Sequence, residues 1–207
     1  MRPPFFSCPV RGMCYYERMT TPIILPVLDD PAREYACSHV EQLQGYINDY
    51  ADGMVNDGME IGDAVSNAHS LFCDFMLDNG FEPDNDQADG VASLIEACML
   101  EVRRACAGRK RPKTFLHMEG YFKGADLYLM CDHIRQLSRI FTGMLALYRQ
   151  DEADESHVIE YTAARFLELL EGEGCNVTPQ LRQSVTEYAM LATLTVMAVE
   201  LALSPRS

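Results

Sequence analysis

Apolar residues recur along most of this chain at alternating spacings of three and four, and this period restricts most of it to helices. The first such segment begins at Asp30-Pro31, where we expect Asp30 as N-cap and Pro31 at the first helical position. Its apolar positions fall on one side of a helix and are Ala36, Val40, Leu43, Ile47, Tyr50 and Met54.

Further helices are predicted at about 60–79, 84–108, 125–150 and 154–170, and one more starts at Thr178-Pro179. In the segment 125–150 the stripe favours a central bundle helix over a dimer seam. The last helix is apolar almost all round from Tyr188 to Leu203, so other helices must surround it. The buried face predicted for 60–79 is Ile61, Ala64, Val65, Ala68, Leu71, Phe72 and Phe75.

These patterns predict an all-α, single-domain bundle of six to seven helices with the apolar C-terminal helix at its centre. We expect an irregular, Pro-rich segment at 1–28 and a helical domain at 29–207. That domain is divided into acidic helices at 30–108, a basic connection at 109–113 and helices at 125–203. Thr114 to Lys123 fits either a helical turn or a short extended piece.

Composition places the chain among cytoplasmic globular proteins. Of its 207 residues 48% are apolar, enough for a sizeable core. The proline-broken N-terminal segment does not read as a secretion signal. The eight cysteines fall mostly on apolar helix faces, which is typical of buried free thiols in a reducing compartment. We expect no membrane association.

Charge is segregated along the chain. Between Asp29 and Glu101 there are seventeen acidic residues and one cation, Arg33. An ordinary helix surface mixes both signs, so this segregation favours a surface that meets a basic protein partner. The carboxylates expected to make that acidic face are Glu34, Glu41, Asp49, Asp52, Glu60, Asp63, Asp74 and Asp78.

A basic patch follows directly after the acidic helices. It contains Arg103, Arg104, Arg109, Lys110, Arg111 and Lys113. The patch could contact phosphate, or it could complement an acidic face of this chain or of a second subunit. A net charge of −14 argues against nucleic acid, because the acidic helices would repel it.

No motif predicts catalysis. The chain lacks a nucleophile elbow, a phosphate-binding glycine loop and a paired-histidine zinc motif. His69 and Cys73 have the i, i+4 spacing of metal ligands, but they form one pair only. The acidic turn at 84–86 is better explained by helix capping than by a calcium loop. His117 and Glu119 could line a pocket of unspecified content. The carboxylate pairs that could hold magnesium are Asp49/Asp52, Asp74/Asp78 and Glu168/Glu171.

The stretch from Cys131 to Leu145, CDHIRQLSRIFTGML, resembles the Asp-His helix of the cytoplasmic chaperones for molybdoenzyme maturation. The likeness covers Asp132-His133 and a few apolar positions, with Met130-Cys131 where those proteins carry a proline. It implies a helical protein that holds an apolar peptide.

Taken together, the sequence predicts a non-enzymatic protein-binding module of the inhibitor, immunity or adaptor type, with no cofactor and no bound metal. Its acidic face would dock on a basic protein, and self-association fits the apolar stripes. A peptide-holding chaperone and a metal-dependent enzyme of phosphate chemistry are the two alternatives.

Overall fold

The computed structural model of the protein describes residues 28–107, 122 and 124–204. These residues form helices and connecting turns, without a strand, which confirms the predicted all-α bundle. The N-terminal segment, apart from Leu28, and the basic connection lie outside the described residues. The helices are α1 (Asp30–Ser38), α2 (Val40–Asn56), α3 (Ile61–Asp78), α4 (Asn85–Ala107), α5 (Gly124–Tyr148), α6 (Glu155–Gly172) and α7 (Pro179–Ala202).

Helix α7 lies at the centre, as predicted. It packs on α2, α4 and α6, and nearly every residue from Leu181 to Val199 is buried on one side or another. By length and composition it is also apolar enough to cross a membrane, and 78% of its apolar window is buried inside the fold. At its N-terminus the Thr178 hydroxyl accepts a hydrogen bond from the Leu181 N–H (3.1 Å), with Pro179 in the first turn. The helix therefore serves as the core against which the others are laid.

The predicted first helix is two helices in the structure. The N-cap is Asp29 rather than Asp30, since the Asp29 carboxylate accepts from the Ala32 N–H (2.9 Å). The helical path breaks at His39, whose φ is −121°. There the Ser38 hydroxyl donates to the Glu34 carbonyl oxygen (2.8 Å), so a side chain satisfies a carbonyl at the end of α1. The break lets α1 pack on α4 and α6 while α2 follows α7.

Helix α3 lies at the edge of the bundle and packs on α2 and α4. Its buried residues are Ala64, Ala68, Phe72 and Met76. Leu71, predicted to be buried, is exposed, and Met76, which the predicted face left out, belongs to the buried stripe instead. At 100° per residue, Asp63, Asp74 and Asp78 lie roughly 100° to 160° from the centre of that buried stripe, on the solvent side of α3.

Helix capping explains the acidic turn at 84–86, as predicted, and a further cap that was not predicted lies at Asp154. Before α4, the Asp84 carboxylate accepts from the Gln87 N–H (2.9 Å), and the Gln87 side chain accepts from the Asp84 N–H (3.0 Å). Asp154 caps α6 through the His157 N–H (2.7 Å). Helix α5 is wrongly predicted as central, because its main helical partner is α6. Its buried Phe141 and Met144 lie in one cluster with Val158 of α6 and with Ala192 and Met197 of α7.

Candidate protein-binding surface

The eight carboxylates predicted as the acidic face lie on α1, α2, α3 and the turn before α3. All are exposed except Asp52, which is half-buried and accepts a hydrogen bond from the Asn56 amide (2.6 Å). On α2, Glu41, Asp49 and Asp52 fall within an arc of roughly 80° at 100° per residue. They lie on the solvent-facing side of α2, opposite the buried Leu43 and Ile47. The sequence therefore placed these side chains correctly on the surface.

Two of the carboxylate stripes run along neighbouring antiparallel helices. The turn 57–60 joins α2 to α3, and the His39 ring at the start of α2 lies 5.5 Å from the Phe75 ring near the end of α3. This pairing brings Glu41 to the same end of the hairpin as Asp74 and Asp78. At the opposite end Asp52 approaches the turn that carries Glu60 and the first residues of α3.

An aromatic cluster holds α1 against that first end. The Tyr35 ring stacks on His39 (4.1 Å between centroids) and contacts Phe81 (4.6 Å) and Phe72 (6.4 Å). Such ring pairs stabilise the contact beyond the area they bury. The cluster fixes α1, which carries the exposed Glu34, against this end of the hairpin.

The one cation of the acidic segment points into the fold. Arg33 Nη1 lies 3.7 Å from the buried Glu187 carboxylate of α7 and 3.4 Å from the Leu28 carbonyl oxygen, and its Nη2 pairs with Asp30. Glu187 also accepts from the Gln183 amide (3.3 Å). Burial raises the pKa of Glu187 to about 7, although Gln183, Arg33 and the Leu28 N–H each favour the ionised form. Arg33 is thereby held against Glu187 and the Leu28 carbonyl oxygen, and its exposed partner is Asp30, which is not one of the eight carboxylates of the acidic face.

The predicted basic patch is described only in part. Arg103 is exposed on α4, and Arg104 Nη1 lies 2.6 Å from the Glu101 carboxylate, one turn before it. Glu101 is itself buried, so this pair belongs to the end of α4 and not to the exposed acidic face. Arg109, Lys110, Arg111 and Lys113 lie outside the described residues, as do His117 and Glu119.

The His69–Cys73 pair is close, but its chemistry is limited. Cys73 Sγ lies 3.2 Å from His69 Nε2, and the same nitrogen lies 3.0 Å from the Ala88 carbonyl oxygen. A carbonyl can only accept, so Nε2 carries the proton and cannot act as base toward the thiol. Burial and the Asp74 carboxylate raise the pKa of Cys73. Across 28–107 and 124–204, no three His, Cys, Asp or Glu side chains converge as metal ligands.

His133, the histidine of the Asp-His stretch, joins α5 to the end of α6. Its Nδ1 lies 2.8 Å from the Leu129 carbonyl oxygen and its Nε2 lies 2.9 Å from the Glu173 carboxylate. The neighbouring Asp132 is exposed. Both ring nitrogens have an acceptor, so the contact orders the ring as a link between the two helices.

Two features of this surface were missed in the sequence. Leu71 and Leu77 are 39% and 50% exposed among the carboxylates of α3. A helical wheel that included Met76 in the buried stripe would have placed Leu71 outside it, where the predicted buried face had already left Leu77. The burial of Arg33 has no comparable signal, because it depends on Glu187, which lies more than 150 positions further along the chain.

The chain matches no protein-family model, no curated protein and no solved structure. Its own charge distribution and packing are therefore the grounds on which a function is inferred.

Proposed function

We propose that this protein is a non-enzymatic binding module, of the inhibitor, immunity or adaptor type, that docks its acidic face on a basic protein partner. The observation that carries the proposal is the exposed carboxylate surface of α1, α2 and α3. Arg33, the one cation of that segment, is turned inward against Glu187.

The exposed carboxylates of α1, α2 and α3 give this surface a single sign of charge. Clustered carboxylates repel one another and destabilise the compact state, and they raise the rate of encounter with a positive surface. A basic partner relieves the repulsion and gains complementarity, chiefly as association rate and specificity. Such binding weakens as salt screens the charges over about 10 Å at 0.1 M.

We propose that this binding takes place in the cytoplasm, and a homo-oligomer is compatible with the proposal. The described cysteines Cys37, Cys73, Cys98, Cys106, Cys131 and Cys175 are free thiols. Free thiols are typical of a reducing compartment, which supports the cytoplasmic proposal.

The test is affinity capture from the native host at low salt, followed by a salt gradient and mass spectrometry of each fraction. The variant reverses Glu41, Asp49 and Asp52 to Lys. The matched control reverses Asp132, Glu152 and Glu160, which are exposed on other parts of the fold, and so makes the same change in net charge.

We expect a basic protein to elute at moderate salt from the wild type and from the control. The α2 variant should bind it more weakly by at least about tenfold. Equal loss in both variants would mean that only net charge matters, and the acidic face would not be a docking site. A partner that survives high salt and both reversals would instead favour the peptide-holding alternative.

A further inference from the structure

The outer face of α3 combines exposed leucines with carboxylates in its last two turns. Leu71 and Leu77 are 39% and 50% exposed, and the exposed Asp74 and Asp78 lie between and beside them. Residues 71 to 78 span about 10 Å at 1.5 Å per residue. At 100° per residue the four side chains fall within an arc of roughly 120°, so they form one patch.

This patch is on the side of α3 that faces away from its neighbours. Phe72 and Met76 pack inward, and α2 and α4 cover the flanks of the same buried stripe. His69 points to α4 through the Ala88 carbonyl (3.0 Å), and Phe75 points to His39 of α2 (5.5 Å between rings). With both flanks occupied, the leucine–aspartate arc is left to solvent.

We infer that this patch, Leu71, Asp74, Leu77 and Asp78, docks a basic amphipathic helix of the partner, with apolar side chains on the leucines and Lys or Arg on the aspartates. The inference rests on the proposed function and names the chemistry of its partner. Residues spaced i, i+3 and i+4 on such a helix match a two-turn patch. Buried apolar anchors within a charged rim carry most of the free energy in interfaces of this kind.

Charge decides between this occupant and a second copy of the chain. Two copies that met through the same patch would place Asp74 and Asp78 against their own equivalents, and like charges in contact cost free energy. A basic helix covers the leucines and pairs the aspartates at once. The charge of the patch therefore selects a positively charged, amphipathic ligand.

The experiment measures binding of a labelled synthetic peptide of about 18 residues, long enough for five helical turns. It is built from Leu and Lys with the leucines on one helical face. A second peptide has the same composition with the leucines scattered around the helix. The protein variants are Leu71→Ser/Leu77→Ser and a matched control, Leu147→Ser/Leu201→Ser, which changes leucines that are 37% and 48% exposed on α5 and α7.

We expect the wild type and the control to bind the amphipathic peptide at least about tenfold more tightly than the scattered one. The Leu71→Ser/Leu77→Ser variant should lose that preference and keep the weaker, salt-sensitive binding of both peptides. Circular dichroism confirms that each variant keeps its helix content.

Four results would overturn the inference. If both peptides bind alike, or if the control loses as much as the variant, the leucines of α3 are not the anchors. If the wild type dimerises and the α3 variant is monomeric, the patch takes a second copy. If neutralising Arg109, Lys110, Arg111 and Lys113 strengthens peptide binding, the chain's own basic connection is the occupant. The acidic-face proposal falls separately, when reversal of Glu41, Asp49 and Asp52 leaves capture of the basic partner unchanged.

Discussion

Replacing Glu187 by Gln should remove the part of the pH dependence of the free energy of unfolding that comes from ionisation of the buried Glu187 carboxyl. The Glu187 carboxyl is 3% exposed on α7, and it contacts Arg33 at 3.7 Å, the Gln183 amide at 3.3 Å and the Leu28 N–H. A glutamine is nearly the same shape as the protonated carboxyl and keeps an acceptor oxygen for Gln183. The substitution therefore removes the charge with little change in packing.

The sign of the effect follows from the direction in which burial shifts the pKa of Glu187. Burial raises the pKa of Glu187 from 4.5 to about 7, so between these values the folded protein holds a proton that the unfolded chain has released. The free energy of unfolding falls as pH rises through this window, because ionisation is easier in the unfolded chain. The contribution is fully present below pH 4.5 and is lost above about pH 7.

The size follows from the same two values. At about 1.4 kcal/mol for each tenfold change in the proton equilibrium, the difference corresponds to about 3 kcal/mol. Relative to the wild type, Glu187→Gln should gain about that much in free energy of unfolding as pH rises from about 4 to about 8. A constant offset, from the difference in hydrogen bonding between a protonated carboxyl and an amide at this site, adds to this difference at every pH.

Urea unfolding followed by circular dichroism, at a series of pH values, measures the difference. Glu160→Gln is the control, since it makes the same chemical change at an exposed position of α6 and should show no comparable growth. A difference that stays constant with pH would refute the reasoning. If the wild type instead gains on the variant as pH rises, ionised Glu187 and Arg33 form a net stabilising pair.

Two further predictions concern α3 and the buried thiols. Phe72→Ala should lower the free energy of unfolding by about 3–5 kcal/mol, because the ring is fully buried, whereas Leu71→Ala should change it by less than about 0.5 kcal/mol. If urea unfolding showed that the two substitutions lower the free energy of unfolding equally, the buried face assigned to α3 would be wrong. Burial raises the pKa of the fully buried Cys98 to about 12 and of the half-buried Cys37 to about 11, so both thiols should react with a disulfide reagent more slowly than Cys106, and Cys98 the most slowly. Cys106→Ala should therefore remove part of the rapid phase of labelling and Cys98→Ala none of it, and rapid labelling at Cys98 would contradict its buried position.

Much of the fold could be predicted because it depends on local patterns. The structure confirms the periodic apolar residues, the helix start at Thr178-Pro179 and the helix capping by Asp84. Each of these signals is contained within a few neighbouring positions of the sequence. The break at His39 was missed since the apolar period runs through it. Ser38-His39 offered a signal, as both side chains bond carbonyl oxygens of the preceding turn.

The candidate site was less accessible to prediction. The sequence identifies the carboxylates as surface groups on helical wheels, but which ends of α2 and α3 meet depends on the antiparallel hairpin. Leu71 is exposed because Met76 belongs to the buried stripe of α3, and including Met76 shifts the centre of that stripe away from Leu71. The inward position of Arg33 depends on α7, far along the chain, and no local pattern reports a contact of that separation.

The position of α7 has a consequence for how the protein is made. Helices α2, α4 and α6 all precede it in the chain, so each leaves the ribosome before the helix it packs on has been synthesised. At about 5–20 residues per second, the interval between α2 and α7 is on the order of ten seconds. During that interval the apolar faces of the earlier helices lack their principal partner. The core of this bundle is thus completed only after α7 has been synthesised, and until then the faces of α2, α4 and α6 that pack on it stay uncovered by that helix.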